Sequence, residues 1–339
     1  MSEKKQIKAL VLFSGGLDSL LTCKLLEKQG LEVLALRFVT PFTGYNLLQK
    51  REAYQAEMEK RYGLKVKVID VSEEYLEILK KPRYGYGRNF NPCIDCKIFF
   101  LRRAISLLPR YGASFVATGE VLGQRPMSQR RPILRLIEKA SGAEGRLLRP
   151  LSARLLPETE VEKQGLVDRS RLLALSGRSR KGQMELANQL GITDYASPAG
   201  GCLLTDPILA ARLRYLFDRR AMSVNDSLLA LVGRHFLLPH GSWLVVGRKQ
   251  AENQRLRELR KTGDLLLRLK DIPGPLGLIR DSHSEDLPLA AAILVRYAPK
   301  ARGKEARVII SGDQGAQEEI LPLDLKDYDL EALRIPPSS

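Results

Sequence analysis

The stretch that decides the fold runs from Ile7 to Gly30. It holds the apolar run Ile7-Lys-Ala-Leu-Val-Leu-Phe13, the turn Ser14-Gly15-Gly16-Leu17-Asp18-Ser19, and then leucines at 20, 21, 25 and 26 ahead of Gly30. A short apolar run, a Gly-rich turn and a helical apolar period read as strand, turn and helix. Gly30 stands where a helix C-cap belongs. A ring of backbone N–H groups can cradle phosphate only where glycine lets the chain come close, and a helix start adds partial positive charge. Gly15 and Gly16 supply that approach, Ser14 and Ser19 supply hydroxyl donors, and Asp18 supplies a carboxylate to hold Mg²⁺ against phosphates. No lysine follows the glycines, which excludes the Walker type of loop.

Working outward, residues 32–39 read as a second strand, 47–62 as a helix closed by Gly63, and 66–70 as a third strand. A helix is expected over 96–108, and a fourth strand over 115–118 entering Gly119-Glu120. Strands alternating with amphipathic helices predict an α/β fold, a doubly wound parallel sheet of Rossmann-like form. A less regular stretch follows, with helices expected near 169–175, 182–190 and 207–217. The domain boundary is placed between Asp218 and Asn225, giving domains 1–220 and 225–339. The second, smaller domain reads as α+β. It has strands over 242–246, 263–269, 306–310 and 318–321, helices over 250–260 and 287–297, and a forced turn at 271–277. The tail 336–339 reads as frayed.

The 339 residues carry a formal charge of +16, and its distribution is uneven. Residues 1–220 hold 38 basic and 23 acidic side chains, whereas residues 221–339 hold 17 and 16. Such a balance suits a polyanionic partner. Two basic clusters, Arg125/Arg130/Arg131 and Arg178/Arg180/Lys181, read as phosphate-contacting surfaces. The three histidines all follow Arg234, which excludes Ser-His-Asp chemistry and a two-His zinc site from the first 230 residues. His235 and His240 read as structural, and His283 as part of a solvated loop. The longest stretch free of Asp, Glu, Lys and Arg is 13 residues, between Arg234 and Arg248, so no membrane span is expected. The opening residues give no secretory signal, and a cytoplasmic protein is expected.

Four cysteines are too few for a disulfide scaffold. Cys23 falls inside the first helix and reads as a buried apolar residue. Cys93 and Cys96 form a CxxC, and Cys202 follows more than 100 residues later. Three readings stand side by side. In one, Cys93, Cys96 and Cys202 ligate a [4Fe–4S] cluster, leaving one iron open for sulfide. In another, Cys96 carries a persulfide and Cys202 resolves it as a disulfide. In the third they form a zinc site or are simply buried. Cys96 opens a helix, where the dipole favours a thiolate.

SGGLDS resembles the pyrophosphate loop of the adenine nucleotide α-hydrolase superfamily over roughly the first 215 residues. Thr118-Gly-Glu-Val-Leu-Gly-Gln124, Ser128-Gln129 and Leu148-Arg149-Pro150-Leu151 resemble the tRNA 4-thiouridine synthetases. Asn91-Pro-Cys-Ile-Asp-Cys96 resembles the cysteine loop of the tRNA 2-thiouridine synthetases, and Ala199-Gly-Gly-Cys202 sits where these families place a second reactive cysteine. The resemblance implies ATP-dependent tRNA uridine thiolation: adenylation of a uridine carbonyl oxygen, then sulfur insertion with release of AMP. ATP, Mg²⁺, tRNA and a sulfur donor (a cysteine desulfurase or sulfide) would be the cofactors and partners. Phe38, Gly119 and Gln124 join the loop as ATP-binding candidates, and Cys96, Cys202 and Asp18 are the catalytic candidates. Residues 235–325, with Val246-Gly-Arg-Lys249 and Asp271-Ile-Pro-Gly274, resemble the NFACT RNA-binding module. Neither the preceding RNA-binding domain nor the following rhodanese domain of 4-thiouridine synthetases is expected. Two alternatives are another adenylating ligase of the superfamily, which needs no cysteines, and a non-catalytic RNA-binding factor, which needs no intact loop.

Overall fold

The computed structural model describes residues 6–195, 202–313, 315 and 317–335. They form two compact units, Met1–Thr205 and Asp206–Ser339. Each is built around its own sheet.

In the first unit, β1 (Lys8–Leu12), β2 (Glu32–Val39), β3 (Lys65–Asp70), β4 (Phe115–Thr118) and β5 (Leu147–Leu148) lie parallel in the order β3-β2-β1-β4-β5. Successive strand side chains point to opposite faces, so a strand covered on both sides must be apolar throughout. β1 meets that demand. Ala9 and Val11 pack with α1 (Leu17–Glu27), and Leu10 packs on the other face with Leu101 and Leu108. The remaining helices are α2 (Arg51–Tyr62), α3 (Ser72–Lys80), α4 (Cys93–Tyr111), α5 (Arg131–Ser141), α6 (Glu160–Lys163) and α7 (Lys181–Gln189). The chain leaves β1 towards β2 and β3 on one side, and β4 and β5 close the other. The crevice between the ends of β1 and β4 is therefore the topological switch point where such sheets bind ligands.

Several expectations needed correction. Helix α4 starts at Cys93 instead of Cys96, and it continues through Pro109 to Tyr111. The proline sits in the last turn, and Gly112 ends the helix beyond it. Helices α3 and α5 were not expected at all. Of the 169–175 helix only a 3-10 turn at Arg169–Arg171 forms.

The second unit begins with α8 (Pro207–Arg219), whose N-terminus is capped by the Asp206 carboxylate accepting from the Leu209 N–H at 2.8 Å. This helix belongs with the C-terminal unit, so the division falls before it, at Thr205/Asp206. Next come α9 (Val224–Leu229), β6 (Arg234–Leu237), β7 (Trp243–Val246), α10 (Gln250–Leu259), β8 (Leu265–Leu269), β9 (Gly277–Arg280), α11 (Leu287–Arg296), β10 (Val308–Ser311) and β11 (Gln317–Ile320). The six strands form an antiparallel sheet in the order β11-β10-β8-β9-β7-β6, and the apolar helix α11 supplies much of the core against it. Strands β6 and β9 were not expected. No described helix is long and apolar enough to cross a membrane.

The histidines of this unit match their expected roles. His235 is buried and accepts from the Trp243 indole N–H at 3.1 Å; His240 Nδ1 lies 3.0 Å from Asp286; His283 is exposed. Arg280, only 1 % exposed, binds Asp264 through Nε and Nη2 (3.0 and 2.6 Å) and Asp226 through Nη1 (2.6 Å). Burial alone would raise the Asp226 carboxyl, but hydrogen bonds from Ser223 and Arg280 hold it down at about 2. Arg280→Met takes the buried guanidinium from both carboxylates, leaving Asp226 only the half-exposed Lys261 at 3.2 Å and Asp264 no cation. We expect a loss of about 3–5 kcal/mol in a urea titration of the full chain.

Candidate active site

The Ser14–Ser19 loop leaves the end of β1 and opens α1. Gly15 adopts φ +79°, a left-handed conformation that few side chains tolerate. The Ser19 hydroxyl donates to the Gly16 carbonyl at 2.8 Å, the Ser14 N–H donates to Ser19 Oγ at 3.2 Å, and no side chain caps the helix. The turn is thus tied internally while its helix start stays open to a ligand. Gly119, at the end of β4, is where the second strand meets this loop. A Cβ there would lie 2.6 Å from the Asp18 carbonyl oxygen and 2.7 Å from the Ser19 nitrogen, so only glycine fits.

Two polar groups at this loop lack the partners expected of them. Asp18 Oδ1 is buried without a hydrogen-bond partner. Arg37, on β2, donates from Nη1 to the Ser14 carbonyl and, at 3.5 Å, to the Phe13 carbonyl, while its buried Nε has no partner. Burial pulls the Arg37 guanidinium below its usual range, and no carboxylate among the described residues pairs with it. An unmatched cation beside a phosphate-shaped loop suits an anion, and an orphaned carboxylate oxygen next to it suits a cation such as Mg²⁺. Arg37 was missed in the sequence because one cation within an apolar strand carries no local signature. Phe38 is 7 % exposed and stacks on Phe100 at 5.5 Å, so its ring belongs to the core below the crevice.

Cys93, Cys96 and Cys202 stand near enough for their charges to reach one another. Cys93 opens α4, and its sulfur lies 3.1 Å from Asn91 Nδ2. Asp95 fastens the preceding loop by accepting from the N–H groups of Arg83 and Tyr84 at 2.9 and 3.0 Å. Burial pushes the Cys96 thiol up to about 12, aided by the nearby Cys202 and Cys93 sulfurs and opposed by a hydrogen bond from Tyr75. The thiolate expected at Cys96 is therefore not favoured: the residue sits a turn inside the helix, where desolvation outweighs the dipole. Burial also raises Cys202, against hydrogen bonds from the Leu204 backbone and the Thr43 hydroxyl. Among the described residues, no three His, Cys, Asp or Glu side chains are gathered at metal-ligand spacing. Gly200 and Gly201, of the Ala199-Gly-Gly-Cys202 motif, lie outside those residues. Cys23 is buried within α1, as expected.

One ion-pair network joins the loop to the thiols. Glu120, next to Gly119, pairs with Lys97, next to Cys96, and with Arg149 at 3.0 Å. Arg149 also binds Glu138 of α5 at 2.8 Å. Burial would raise the Glu120 carboxyl, but Lys97 and Arg149 prevail and hold it down at about 2. This explains why Thr118-Gly-Glu120 and Leu148-Arg149 occur together.

Comparison with known proteins places both units. Residues 4–154 match the family described as thiamine biosynthesis protein (ThiI), and residues 233–331 match the NFACT protein RNA binding domain. The first match lies within the first unit and the second within the second. A probable tRNA sulfurtransferase of Thermococcus kodakarensis is 29 % identical over 120 residues, 35 % of this chain and 31 % of that one. The tRNA-specific 2-thiouridylase MnmA 3 of Phocaeicola vulgatus is 33 % identical over 112 residues, 29 % of this chain and 28 % of that one. The chain thus spans about a third of the length of these curated relatives. A 4-thiouridine synthetase solved with RNA and bound ATP aligns over 55 % of this chain and 51 % of its own, at 24 % identity and a TM-score of 0.34.

Beside the thiols, two separate stretches of sequence, each rich in arginine, meet in one rim. Leu122 bridges Ser176, and the Gly177 N–H donates to the Leu122 carbonyl at 2.8 Å. Gln129 secures the first loop, its Oε1 accepting from the Arg125 N–H at 2.9 Å and its carbonyl from the Gly123 N–H at 2.7 Å. Gln124 lies half-buried in this loop. The bridge joins the loop that carries Arg125 to the loop that carries Arg178. The charge of Arg125 reaches Cys202, so the rim borders the thiols.

Proposed function

We propose that this chain is an ATP-dependent tRNA uridine thiolase, acting in the cytoplasm. The observation that carries the proposal is the short connection from phosphate loop to thiols: Asp18 against Gly119, Glu120 paired with Lys97, and Cys96 beside it. Another adenylating ligase would have no use for three converging cysteines. The NFACT-type domain and the basic rim supply surfaces suited to RNA.

The triphosphate of ATP would lie on the open start of α1, with Arg37 beneath it and Asp18 holding Mg²⁺. A uridine carbonyl oxygen attacks the α-phosphorus and pyrophosphate departs. A sulfur nucleophile then adds to the activated carbon, and AMP leaves with the former carbonyl oxygen. The target base must leave its stack to reach the crevice, so shape and phosphate contacts position the tRNA.

The sulfur side of the site is Cys93, Cys96 and Cys202. Three soft donors, in a unit without histidine, suit a [4Fe–4S] cluster, which when bound would present sulfide to the activated carbon. Coordination would have to draw the three sulfurs closer together than they stand. The other route uses the thiols alone, with a Cys96 persulfide resolved by Cys202. A cluster could take sulfide itself, whereas a Cys96 persulfide would need sulfane sulfur passed from a donor persulfide, such as that of a cysteine desulfurase, whose own thiol is released.

Incubating the full chain with labelled ATP and bulk tRNA tests the proposal. Pyrophosphate and AMP should appear only with tRNA, and release of ADP would overturn it. The rim has its own test. Arg125→Gln, Arg130→Gln and Arg178→Gln should each weaken tRNA binding and reduce the log–log salt slope by roughly 0.7–0.9 per lost phosphate contact. An unchanged slope in the triple variant would remove the rim from the docking surface.

A further inference from the structure

A tyrosine from outside the phosphate loop sends its hydroxyl to it. Tyr54 lies on α2, a helix that is mostly polar and exposed. Tyr54, Met58 and Tyr62 stand at the four-residue spacing of one helical face, and all three pack with the core that holds Leu17 and Leu20 of α1. The two tyrosines of this stripe end differently. Tyr62 donates its hydroxyl to the Asp194 carbonyl at 2.5 Å, whereas among the described residues the Tyr54 hydroxyl has no hydrogen-bond partner. It ends at the loop: a Cβ on Gly15 would lie 3.6 Å from Tyr54 Oη. The Ser14 carbonyl, one residue before, accepts from Arg37. A phenol from α2 and a guanidinium from β2 thus reach adjacent residues of one turn.

The turn has use for a further donor. The Ser19 hydroxyl, expected to serve phosphate, is spent on the Gly16 carbonyl at 2.8 Å. Burial raises the Tyr54 phenol, so at neutral pH it carries a proton to give. A phenylalanine would fill the same place in the core but bring no donor to the loop. In-line attack at the α-phosphorus puts the departing pyrophosphate opposite the incoming uridine oxygen, and so against the turn, away from the open crevice.

We propose that Tyr54 is a phosphate-binding residue of the ATP site, donating its hydroxyl hydrogen bond to an oxygen of the two outer phosphates held on the Ser14–Ser19 turn. The proposal rests on the ATP reading of that turn and adds a residue to it.

The test is Tyr54→Phe in the full chain, which keeps the ring and removes only the hydroxyl. Affinities for labelled ATP, pyrophosphate and AMP are measured by equilibrium dialysis with Mg²⁺. ATP and pyrophosphate should each bind about 10-fold more weakly to the variant, the lower end of the span for one hydrogen bond to a charged group. AMP lacks the outer phosphates, so its affinity should stay within about twofold, and the urea midpoint should not move. Equal ATP affinities in variant and wild type would overturn the proposal. So would an equal loss for AMP or a lower urea midpoint, either of which would make the hydroxyl a support of the fold. A wild-type chain that binds neither ATP nor pyrophosphate overturns the ATP reading itself, and this proposal with it.

Discussion

Asp18→Ala should lose tRNA-dependent pyrophosphate release by on the order of 10³-fold while unfolding at the wild-type urea midpoint. Several kcal/mol of metal-assisted charge stabilisation at the α-phosphorus correspond to that factor. Asp18 Oδ1 is buried at the loop without a hydrogen-bond partner, so its removal breaks no hydrogen bond of the fold. Structural carboxylates in this chain look different. Glu120 and Asp226 are each held by cations and depressed to about 2. Retained turnover in the variant would remove ATP from the loop. A lower urea midpoint would give Asp18 a structural role instead.

Cys93→Ala should lose both bound iron and thiolation when the protein is prepared without oxygen, with thiouridine falling below detection and pyrophosphate release preserved. A cluster needs Cys93 as its third ligand, whereas a relay needs only Cys96 and Cys202. Iron content gives a readout independent of activity. Full thiolation in Cys93→Ala, or an active wild-type chain without iron, would assign the sulfur to a Cys96 persulfide.

Where one segment of chain determines both structure and position, the sequence was readable. The run 7–13, the Gly-rich turn and the leucines of α1 are local signals, and β1, the loop and α1 lie where they were expected. Strand β2 matches its expected bounds for the same reason. Helix α3 was missed because it follows β3 almost without a break, although Tyr75, Leu76 and Leu79 already mark one helical face. Helix α5 opens on Arg130 and Arg131, so its start reads as a basic cluster although Leu134 and Ile137 form a buried face. The pairings that unite the site had no local signal at all. Lys97 and Glu120 are 23 residues apart, and Glu120 and Arg149 are 29 apart. Only the parallel crossovers bring them to one end of the sheet. The motif residues were legible one by one, while the network joining them was a property of the fold.

The central claim is that one ATP is cleaved between its α- and β-phosphates for each sulfur placed in tRNA. The direct measurement incubates the full chain with ATP, Mg²⁺ and unmodified tRNA, with sulfide in one series and a persulfide donor in another, then counts AMP by chromatography and thiouridine by nucleoside mass spectrometry in the same samples. The account predicts that the two rise together at a one-to-one ratio, as adenylation followed by displacement requires, and that neither appears without tRNA. Thiouridine formed with ADP as the product, or AMP accumulating with no thiouridine in the tRNA, would contradict it.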